Sequence, residues 1–179
     1  MGGGEVARYL ARHNGAGRVA KAVLVGAVTP FLLKTADNPD GADRSVFDGM
    51  IEKLREDRPG FLESFGKGFY GAGLLNFSVS DALLQWSQGL ALQASPLATL
   101  ACVRAFSETD FREDCRAIRV PTLLIHGDAD KIVPLEGSAQ KAVTLIPNAE
   151  LKVYEGAPHG LFYTEREKLT ADIAAFARG

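Results

Sequence analysis

The sequence predicts an α/β fold, in which parallel strands with flanking helices are interrupted by an all-helical insertion. Three observations support this prediction. Short apolar runs typical of buried strands occur at 20–28, 120–126 and 149–154. Amphipathic helical segments separate or follow these runs, as connections between parallel strands require. The long segment 45–111 shows helical patterns and no strand pattern, which indicates an insertion between two strands of one sheet.

One helix and one strand precede the insertion. Residues 3–13 carry Val6, Tyr9 and Leu10 at helical spacing, and the NGAG that follows is typical of a helix end. The run 20–28 predicts a strand that is buried on both faces. It ends at Thr29-Pro30, because proline cannot continue a central strand. Turn-forming residues then predict a loop.

The insertion is predicted to hold four helices. They cover 46–57, 59–65, 81–92 and 96–106. The glycines of FGKGFYGAG at 65–73 predict a connection between the second and third of these helices.

The chain after the insertion alternates again between strands and helices. The runs 120–126 and 149–154 predict buried strands, 135–146 predicts a crossover helix, and 165–177 predicts a closing helix. Three strands of this apolar character imply further neighbours, because such strands usually lie in the middle of larger sheets. The pattern is therefore typical of the second half of a sheet.

Composition excludes several classes of partner. The chain has 179 residues, is 46% hydrophobic and carries a formal net charge of −2. Scattered basic residues argue against nucleic acid and anionic membranes as partners. No apolar run approaches the roughly 20 residues of a membrane span, and the amino-terminal residues do not resemble a signal peptide. Cys102 and Cys115 fit a reducing compartment as small buried or half-buried residues, so we expect a cytoplasmic protein.

Two polar loops follow the last two predicted strands. HGDADKIVP (126–134) comes after PTLLI, and EGAPHG (155–160) comes after LKVY. The carboxyl ends of parallel strands lie at one edge of a sheet, where ligands bind in open α/β folds. We therefore expect Asp128, Asp130 and His159 to be neighbours in space.

A buried carboxylate beside a histidine is the acid–base half of a nucleophilic triad, because the carboxylate fixes the ring tautomer and stabilises the imidazolium. We predict this arrangement for Asp130 and His159. Asp128 is interpreted as a turn-forming residue that bonds its own backbone. His126, at a strand end, is interpreted as structural, and His13 as a surface group near the carboxyl end of a helix.

These motifs resemble those of an enzyme family. The order of strand, HGDADKIVP, helix, strand, GAPHG and helix resembles the C-terminal portion of an α/β-hydrolase fold. More narrowly, the chain resembles the cofactor-free (non-haem) bacterial haloperoxidases and arylesterases, also described as perhydrolases. The segments that match are GGGEVARYLARH, RVAKAVLVGAVTPFLLKTADNPDG, AFSETDF, HGDADKIVP and GAPHGL, which together extend over nearly the whole chain.

The resemblance implies a nucleophile just upstream of Met1. Members of this family carry a sharp strand-to-helix turn, Gly-x-Ser-Met-Gly-Gly, and Met1-Gly2-Gly3 matches the residues after its serine. The implied roles are triad acid for Asp130, triad base for His159, and oxyanion-hole donor for the backbone N–H of Met1. The serines of the chain lie in no Gly-x-Ser-x-Gly motif; they are Ser45, Ser64, Ser78, Ser80, Ser87, Ser95, Ser107 and Ser138.

Three explanations for the absence of this serine are open. The sequence breaks off at a chemically modified serine, an internal methionine was taken as the start, or the chain pairs with a separate amino-terminal half of the fold. An isolated, stably folded half is the least favoured origin, because it would expose the edge of a hydrophobic parallel sheet.

The resemblance also implies an activity. We expect a serine-dependent ester hydrolase with perhydrolase activity, in which hydrogen peroxide replaces water and the resulting peracid oxidises halide. Its small-molecule partners are an ester or carboxylic acid plus peroxide. We expect no cofactor and no metal, because three scattered histidines and two unpaired cysteines match no ligand spacing. The resemblance allows a homo-oligomer, a trimer or a larger ring.

The resemblance divides the chain into two parts and leaves two other functions open. Residues 1–34 and 112–179 are predicted to form the second half of the hydrolase core, and 45–111 a helical cap over the site. Phe31 and Ile132 are predicted to form an apolar pocket wall, although ordinary core packing explains each equally well.

The alternative functions are those of a non-catalytic fragment or assembly module that lacks the nucleophile, and of another α/β-hydrolase such as a C–C hydrolase or a dehalogenase.

Overall fold

The computed structural model describes residues 1–73 and 78–179. Within these residues, three strands form one sheet: β1 (Ala22–Val25), β2 (Thr122–Gly127) and β3 (Ala149–Tyr154). The helices among them are α1 (Gly2–His13), α2 (Arg44–Glu56), α3 (Arg58–Phe69), α4 (Asp81–Leu92), α5 (Pro96–Glu108), α6 (Arg112–Ala117), α7 (Ala139–Leu145), α8 (Leu161–Thr164) and α9 (Arg166–Arg178), with a 3₁₀ turn at Asn14–Ala16 after α1.

The sheet is parallel, with strand order β1-β2-β3. Leu124 in the central strand is in register with Leu24 of β1 and with Leu151 of β3. All six residues of β2 are buried, because this strand has a neighbour on each side and helices on both faces. The predicted fold class, parallel strands with flanking helices, is confirmed.

The side chains of β2 point alternately to two hydrophobic cores. Leu124 joins the larger core, which α1, α2, α5, α6 and α7 cover. Leu123 and Ile125 join the smaller core beneath α8 and α9. Because α2 and α5 pack into the larger core, part of the predicted cap shares its interior with the sheet, whereas α3 and α4 contain no buried residue. The division into 1–34 with 112–179 and 45–111 stays a prediction, and residues 74–77 of that cap lie outside the described residues.

Helix α1 is held by apolar packing and by a buried carboxylate. Its Ala7 and Leu10 side chains are buried. On the same helix, Arg8 and Arg12 place guanidinium nitrogens 2.8 and 3.2 Å from the carboxylate of Asp114 in α6, whose side chain is 5% exposed. The two partly exposed arginines therefore neutralise a carboxylate that would be costly to bury alone.

Two strand predictions need correction. The run 20–28 forms a strand only over Ala22–Val25, because Gly26 adopts a left-handed φ of 55° and turns the chain out of the sheet. The prediction that 149–154 is fully buried is wrong. Among the described residues this strand lies at the edge of the sheet, with Glu150 and Val153 exposed and Tyr154 buried.

Two helix predictions also need correction, and a short helix was missed. The predicted connection at 65–73 is wrong in its first half, because α3 continues to Phe69. The helix predicted over 135–146 begins only at Ala139, because the Ser138 hydroxyl donates to the Pro134 carbonyl at 2.7 Å and stabilises a preceding turn. The short helix α8 was not predicted.

Two observations bear on the compositional expectations. No single helix among residues 1–73 and 78–179 is long and apolar enough to cross a membrane, although α4 and α5, bent by 98°, pass this test together by length and composition. Cys102 and Cys115 are free thiols, and burial raises the pKa of Cys115 to about 12.

Candidate active site

The loops after β2 and β3 bring a carboxylate and an imidazole together. Asp130 lies in the first loop and is 5% exposed. His159 lies in the second loop, and its Nδ1 is 2.6 Å from Asp130 Oδ2. The two residues are 29 positions apart in sequence. Their contact arises because the parallel strands deliver both loops to one edge of the sheet.

The Asp130 carboxylate is also held on its other oxygen. Oδ1 accepts hydrogen bonds from the backbone N–H groups of Ile132 at 2.9 Å and Val133 at 2.8 Å. Burial alone would raise the pKa of Asp130. Interactions with His126, His159 and the Val133 N–H outweigh burial and hold the pKa of Asp130 well below its usual range. The carboxylate is therefore fixed and ionised at neutral pH.

The ring of His159 is packed on two sides. A Cβ at Gly26 would lie 3.2 Å from His159 Cε1 and 3.3 Å from Nδ1, so the glycine lets the end of β1 approach the ring. Phe69 of α3 meets the ring edge-on, with ring centroids 4.9 Å apart. The His159 side chain is still 19% exposed. With Nδ1 on Asp130, its Nε2 has no hydrogen-bond partner among the described residues, so this nitrogen is available for proton transfer.

The start of α1 packs against the residue that follows Gly26. A Cβ at Gly3 would overlap the Cβ of Ala27, the residue after Gly26. A Cβ at Gly4 would overlap the ring of Phe111, whereas a Cβ at Gly2 would meet nothing within 4 Å. Two of the three opening glycines therefore let the first turn of α1 pack against Ala27 and Phe111. Met1 precedes this turn and is 48% exposed.

The other predicted polar residues have different surroundings. Asp128 is exposed, and its Oδ1 accepts a hydrogen bond from Gly156 N–H at 2.6 Å. This bond links the two site loops. The prediction that Asp128 bonds its own backbone is therefore wrong. His13 ends α1 and has its ring centroid 6.0 Å from that of Tyr9. His126 is fully buried, with Nε2 3.3 Å from Asp130 Oδ2, and its interpretation as only structural omitted this contact.

Phe31 and Ile132 lie in different surroundings. Ile132 follows the Asp130 turn, and its Cδ1 is 3.7 Å from the position of a Cβ at Gly68 in α3. The Phe31 ring is buried and stacks under the Arg112 guanidinium, 5.3 Å from the ring centroid. Ile132 therefore stands between Asp130 and α3. The role of both residues as a pocket wall stays a prediction.

An apolar cavity of about 390 Å³ opens between α3, α4 and α8. Phe69 forms part of its wall and also contacts His159, which is not itself a lining residue. Its lining is almost entirely apolar and comprises Leu62, Phe65, Gly66, Phe69, Tyr70, Trp86, Ser87, Gln88, Leu90, Ala91 and Phe162.

The sequence did not predict the contacts that Gly26, Phe69 and His126 make at this site. A histidine at the end of the apolar strand TLLIHG was a usable signal for His126, because a polar ring in a buried strand needs partners. The contacts of Gly26 and Phe69 depend on how β1 and α3 are placed in space. No local pattern indicates them.

Several of the serines have structural partners in the fold. Ser80 and Ser95 accept hydrogen bonds from backbone N–H groups in the first turns of α4 and α5. Ser107 and Ser138 donate to backbone carbonyls. No serine in the described residues bonds to His159. In the same part of the chain, no group of three or more histidine, cysteine, aspartate or glutamate residues is arranged to hold a metal ion.

Comparison with known proteins agrees with this fold. The family model for the alpha/beta hydrolase fold matches residues 1–166. A "Non-heme haloperoxidase" of Rhodococcus erythropolis is 49% identical over 98% of this chain and 64% of its own length. A "Bifunctional esterase/perhydrolase DCH" of Acinetobacter calcoaceticus is 42% identical over 99% of this chain and 64% of its own length.

A solved structure shows the same arrangement. The bromoperoxidase from Bacillus anthracis superposes with a TM-score of 0.95 at 40% identity, over 100% of this chain and 65% of that one. The chain thus spans about 64% of the length of the curated relatives it matches. Its sheet, its site loops and these similarities establish that it belongs to the α/β-hydrolase fold family, and its relatives there are non-heme haloperoxidases and esterases.

Proposed function

We propose that the chain supplies the acid, the base and one oxyanion-hole donor of a serine-dependent ester hydrolase that also forms peracids. The observation that carries the proposal is the 2.6 Å contact between Asp130 Oδ2 and His159 Nδ1, with the imidazole packed against Gly26 beside the first turn of α1. The nucleophile in this proposal is a serine placed directly before Met1, as in the resemblance described above.

The proposed reaction begins with proton transfer to His159. Nε2 takes the proton of the serine hydroxyl while the oxygen attacks the ester carbonyl. Asp130 holds the ring in the Nδ1–H tautomer and stabilises the imidazolium. The tetrahedral oxyanion is held by backbone donors that include the N–H of Met1, at the positive end of the α1 dipole. His159 then gives its proton to the leaving alcohol.

The second half of the proposed reaction uses water or hydrogen peroxide. Water, deprotonated by His159, cleaves the acyl-serine and releases a carboxylic acid. Hydrogen peroxide in its place releases a peracid and restores the serine. The peracid then oxidises a halide ion to hypohalous acid and is itself reduced to the carboxylic acid. The relatives carry haloperoxidase and esterase/perhydrolase names, which supports both branches.

The apolar cavity that Phe69 lines supports a class of substrate. Its walls are apolar and aromatic, and such surfaces favour apolar groups by the area they remove from water. We infer that the ester carries a short alkyl or an aromatic group that occupies this cavity. Phe69 connects the cavity to the base.

The test uses a joined polypeptide, defined as this chain preceded by the segment of the Rhodococcus relative that ends at the residue aligned before Met1. Hydrolysis of a chromogenic ester is measured for the joined polypeptide and for its H159A, D130N and D128N variants. H159A is expected to retain no more than a few percent of kcat/KM, and D130N to lose at least about a hundredfold. D128N is expected to lose much less, because the amide carbonyl of the new side chain can still accept a hydrogen bond from the N–H of Gly156.

The matched control is H13A, because His13 lies at the far end of α1, where its ring is near that of Tyr9. It is expected to match the unmodified polypeptide. A peroxide-dependent halogenation assay with acetate and bromide follows the second branch. Substantial activity in H159A, or a larger loss in D128N than in D130N, would show that the roles are assigned to the wrong residues.

A further inference from the structure

His126 is a buried histidine that the proposed mechanism does not use. It lies near the end of β2, its side chain is 0% exposed, and it precedes Asp130 by four positions along the chain. Its Nε2 is 2.8 Å from the carbonyl oxygen of Val133 and 3.3 Å from Asp130 Oδ2. A polar ring in this place has to be explained by its partners.

The partners of the ring determine its tautomer. A carbonyl oxygen and an ionised carboxylate are both acceptors, so Nε2 of His126 carries the proton. Nδ1 is buried and has no hydrogen-bond partner among the described residues. A proton on Nδ1 would therefore leave a buried N–H unpaired, which is costly. The geometry assigns the Nε2–H tautomer to His126.

Two hydrogen bonds link the His126 ring to the carboxylate of Asp130 through Val133. The His126 N–H donates to the carbonyl of Val133, and the N–H of Val133 donates to Asp130 Oδ1 at 2.8 Å. Val133 is therefore held on both its carbonyl and its amide. The ring that fixes its carbonyl also lies beside Oδ2, the oxygen that meets His159.

Several groups share this small volume, and together they leave the carboxylate little freedom. Asp130 is faced by His126 from β2, by His159 from the loop after β3, and by the N–H groups of Ile132 and Val133 from its own turn. The interaction with His126 also contributes to the low pKa of Asp130.

We propose that His126 is a positioning residue: its Nε2–H fixes the Val133 carbonyl and the Oδ2 side of Asp130, and so sets the carboxylate orientation that meets His159. This inference rests on the proposed function only in taking Asp130 as the acid of the site. The placement of the carboxylate can be measured without any activity.

The first experiment uses the 179-residue chain itself. H126F removes the donor with a ring of similar size, and H126Q keeps an N–H donor near the same place. T122V is the matched control, because Thr122 is a fully buried polar residue on the same strand whose hydroxyl donates to Val120, away from Asp130. The readouts are the carboxyl ¹³C titration of Asp130 and the low-field Nδ1–H proton resonance of His159.

The inference predicts that H126F raises the pKa of Asp130 measurably and broadens or loses the His159 proton resonance. H126Q is expected to stay close to wild type in both readouts, and T122V to change neither. A folded H126F chain with an unchanged Asp130 titration and an unchanged His159 resonance would overturn the inference. If H126F fails to fold, the H126Q variant decides. An H126Q chain that retains both the Asp130 titration and the His159 resonance supports the inference, and an H126Q chain that folds but loses them overturns it.

The second experiment separates this inference from the proposed function. In the joined polypeptide, H126F is expected to lower kcat at least tenfold with KM within twofold, and H126Q to recover most of kcat. If the joined polypeptide has no esterase activity but H126F changes both resonance readouts, the proposed function fails and the positioning role stands. If the polypeptide is active and H126F alters neither the resonances nor kcat, the positioning role fails and the proposed function stands.

Discussion

At the scale of single residues, Asp128 and Asp130 stand two positions apart and have opposite surroundings. Asp130 is buried, and its two oxygens meet backbone N–H groups on one side and imidazole rings on the other. Asp128 is exposed and bonds one backbone N–H of the facing loop. The difference arises because the turn after β2 directs one side chain inward and the other toward solvent. Only the inward carboxylate can orient a base.

The first prediction concerns the acid stability that Asp130 contributes. Aspartate in an unfolded chain has a pKa of about 3.9, and the pKa of Asp130 in the folded chain is lower. Between these values the unfolded state binds more protons, so acid favours unfolding. The contribution of Asp130 is therefore fully present above about pH 4 and declines below it, by up to about 1.4 kcal/mol per pH unit.

Urea unfolding of wild type and D130N between pH 7 and pH 2.5 measures this effect. Wild type is expected to be the more stable chain at pH 7, and the difference in unfolding free energy is expected to shrink as the pH falls below 4. All other carboxylates are common to both chains, so D130N isolates the one group. A difference that stays constant across this range would contradict the prediction.

The pairing of Asp130 with His159 could be anticipated from the sequence for a topological reason. Both residues follow apolar runs, and parallel strands must end at the same edge. The contacts of His126 could not be anticipated in the same way, because its rotamer depends on the turn at 130–133. The contact of Phe69 with His159 depends on the angle at which α3 crosses the sheet, and sequence spacing carries no information about that angle.

At the scale of elements, α3 shows how packing overrides local propensity. Gly66 and Gly68 predict a break, yet the helix continues to Phe69. Phe61, Phe65 and Phe69 lie one helical turn apart, with successive ring centroids separated by 5.9 and 6.2 Å. Apolar contacts along this face outweigh the roughly 1 kcal/mol that each interior glycine costs. The sequence pattern contained the aromatic stripe, but the glycines hid its continuity.

A substitution in this helix tests that explanation. A Cβ at Gly66 would meet nothing within 4 Å, so G66A is expected to raise the unfolding free energy by about 0.5–1 kcal/mol. Gly71, just after the helix, has a φ of 66°, and a Cβ there would lie 3.0 Å from Pro158. G71A is therefore expected to destabilise the chain. Urea unfolding measures both, and a loss of stability in G66A would mean that α3 does not run through Gly66.

The opening turn of α1 gives a second comparison between neighbouring glycines. A side chain at Gly3 would overlap Ala27, whereas one at Gly2 would extend into open space. We expect G3A to lower the unfolding free energy by about 1–3 kcal/mol, because the helix must move away from the turn after β1. G2A is expected to change it by no more than about 0.5 kcal/mol. Equal effects of the two substitutions would show that α1 does not pack closely against Ala27.

The number of strands and the burial of β2 were predictable, whereas the exposure of β3 was not. Runs such as AVLV and TLLIHG identify β1 and β2, because β-branched and leucine residues concentrate there. The alternation of apolar and polar residues in β3 is as typical of an edge strand as of a central one. The exposure of Glu150 and Val153 therefore follows only from the place of β3 beside β2. A strand's neighbours are long-range information that a local pattern does not hold.

At the scale of the whole molecule, the described residues form a sheet between two hydrophobic cores. Residues of β2 contribute to both cores, and α2 and α5 contribute to the larger one. The loops that carry Asp130 and His159 extend from the ends of β2, the most buried strand of the sheet, and of the adjacent β3. The site therefore lies at the rim of the hydrophobic interior. This arrangement gives the loop of the Asp130 carboxylate a rigid support. The helices α3 and α4, in contrast, contain no buried residue.

The sheet itself leads to the last prediction. Among the described residues, β1 has a strand neighbour on one side only. The N–H groups of Ala22 and Gly26 donate to carbonyls of Pro121 and Ile125, each at 3.0 Å. The alternation of a parallel ladder assigns Leu24 to the same side and directs the amides of Val23 and Val25 to the opposite edge.

We expect the amides of Val23 and Val25 to exchange hydrogen rapidly in the chain studied alone and Leu24 to exchange slowly, because only the latter is held by β2. In the joined polypeptide, a neighbouring strand would pair with the open edge, and the exchange of both valine amides would slow by at least about a hundredfold. Leu24 serves as the internal control, since its protection should persist in both. Hydrogen exchange followed by NMR resolves the three amides. Protection of Val23 and Val25 equal to that of Leu24 in the chain alone would mean that this edge is already covered, and that the sheet needs no further strand to support the site.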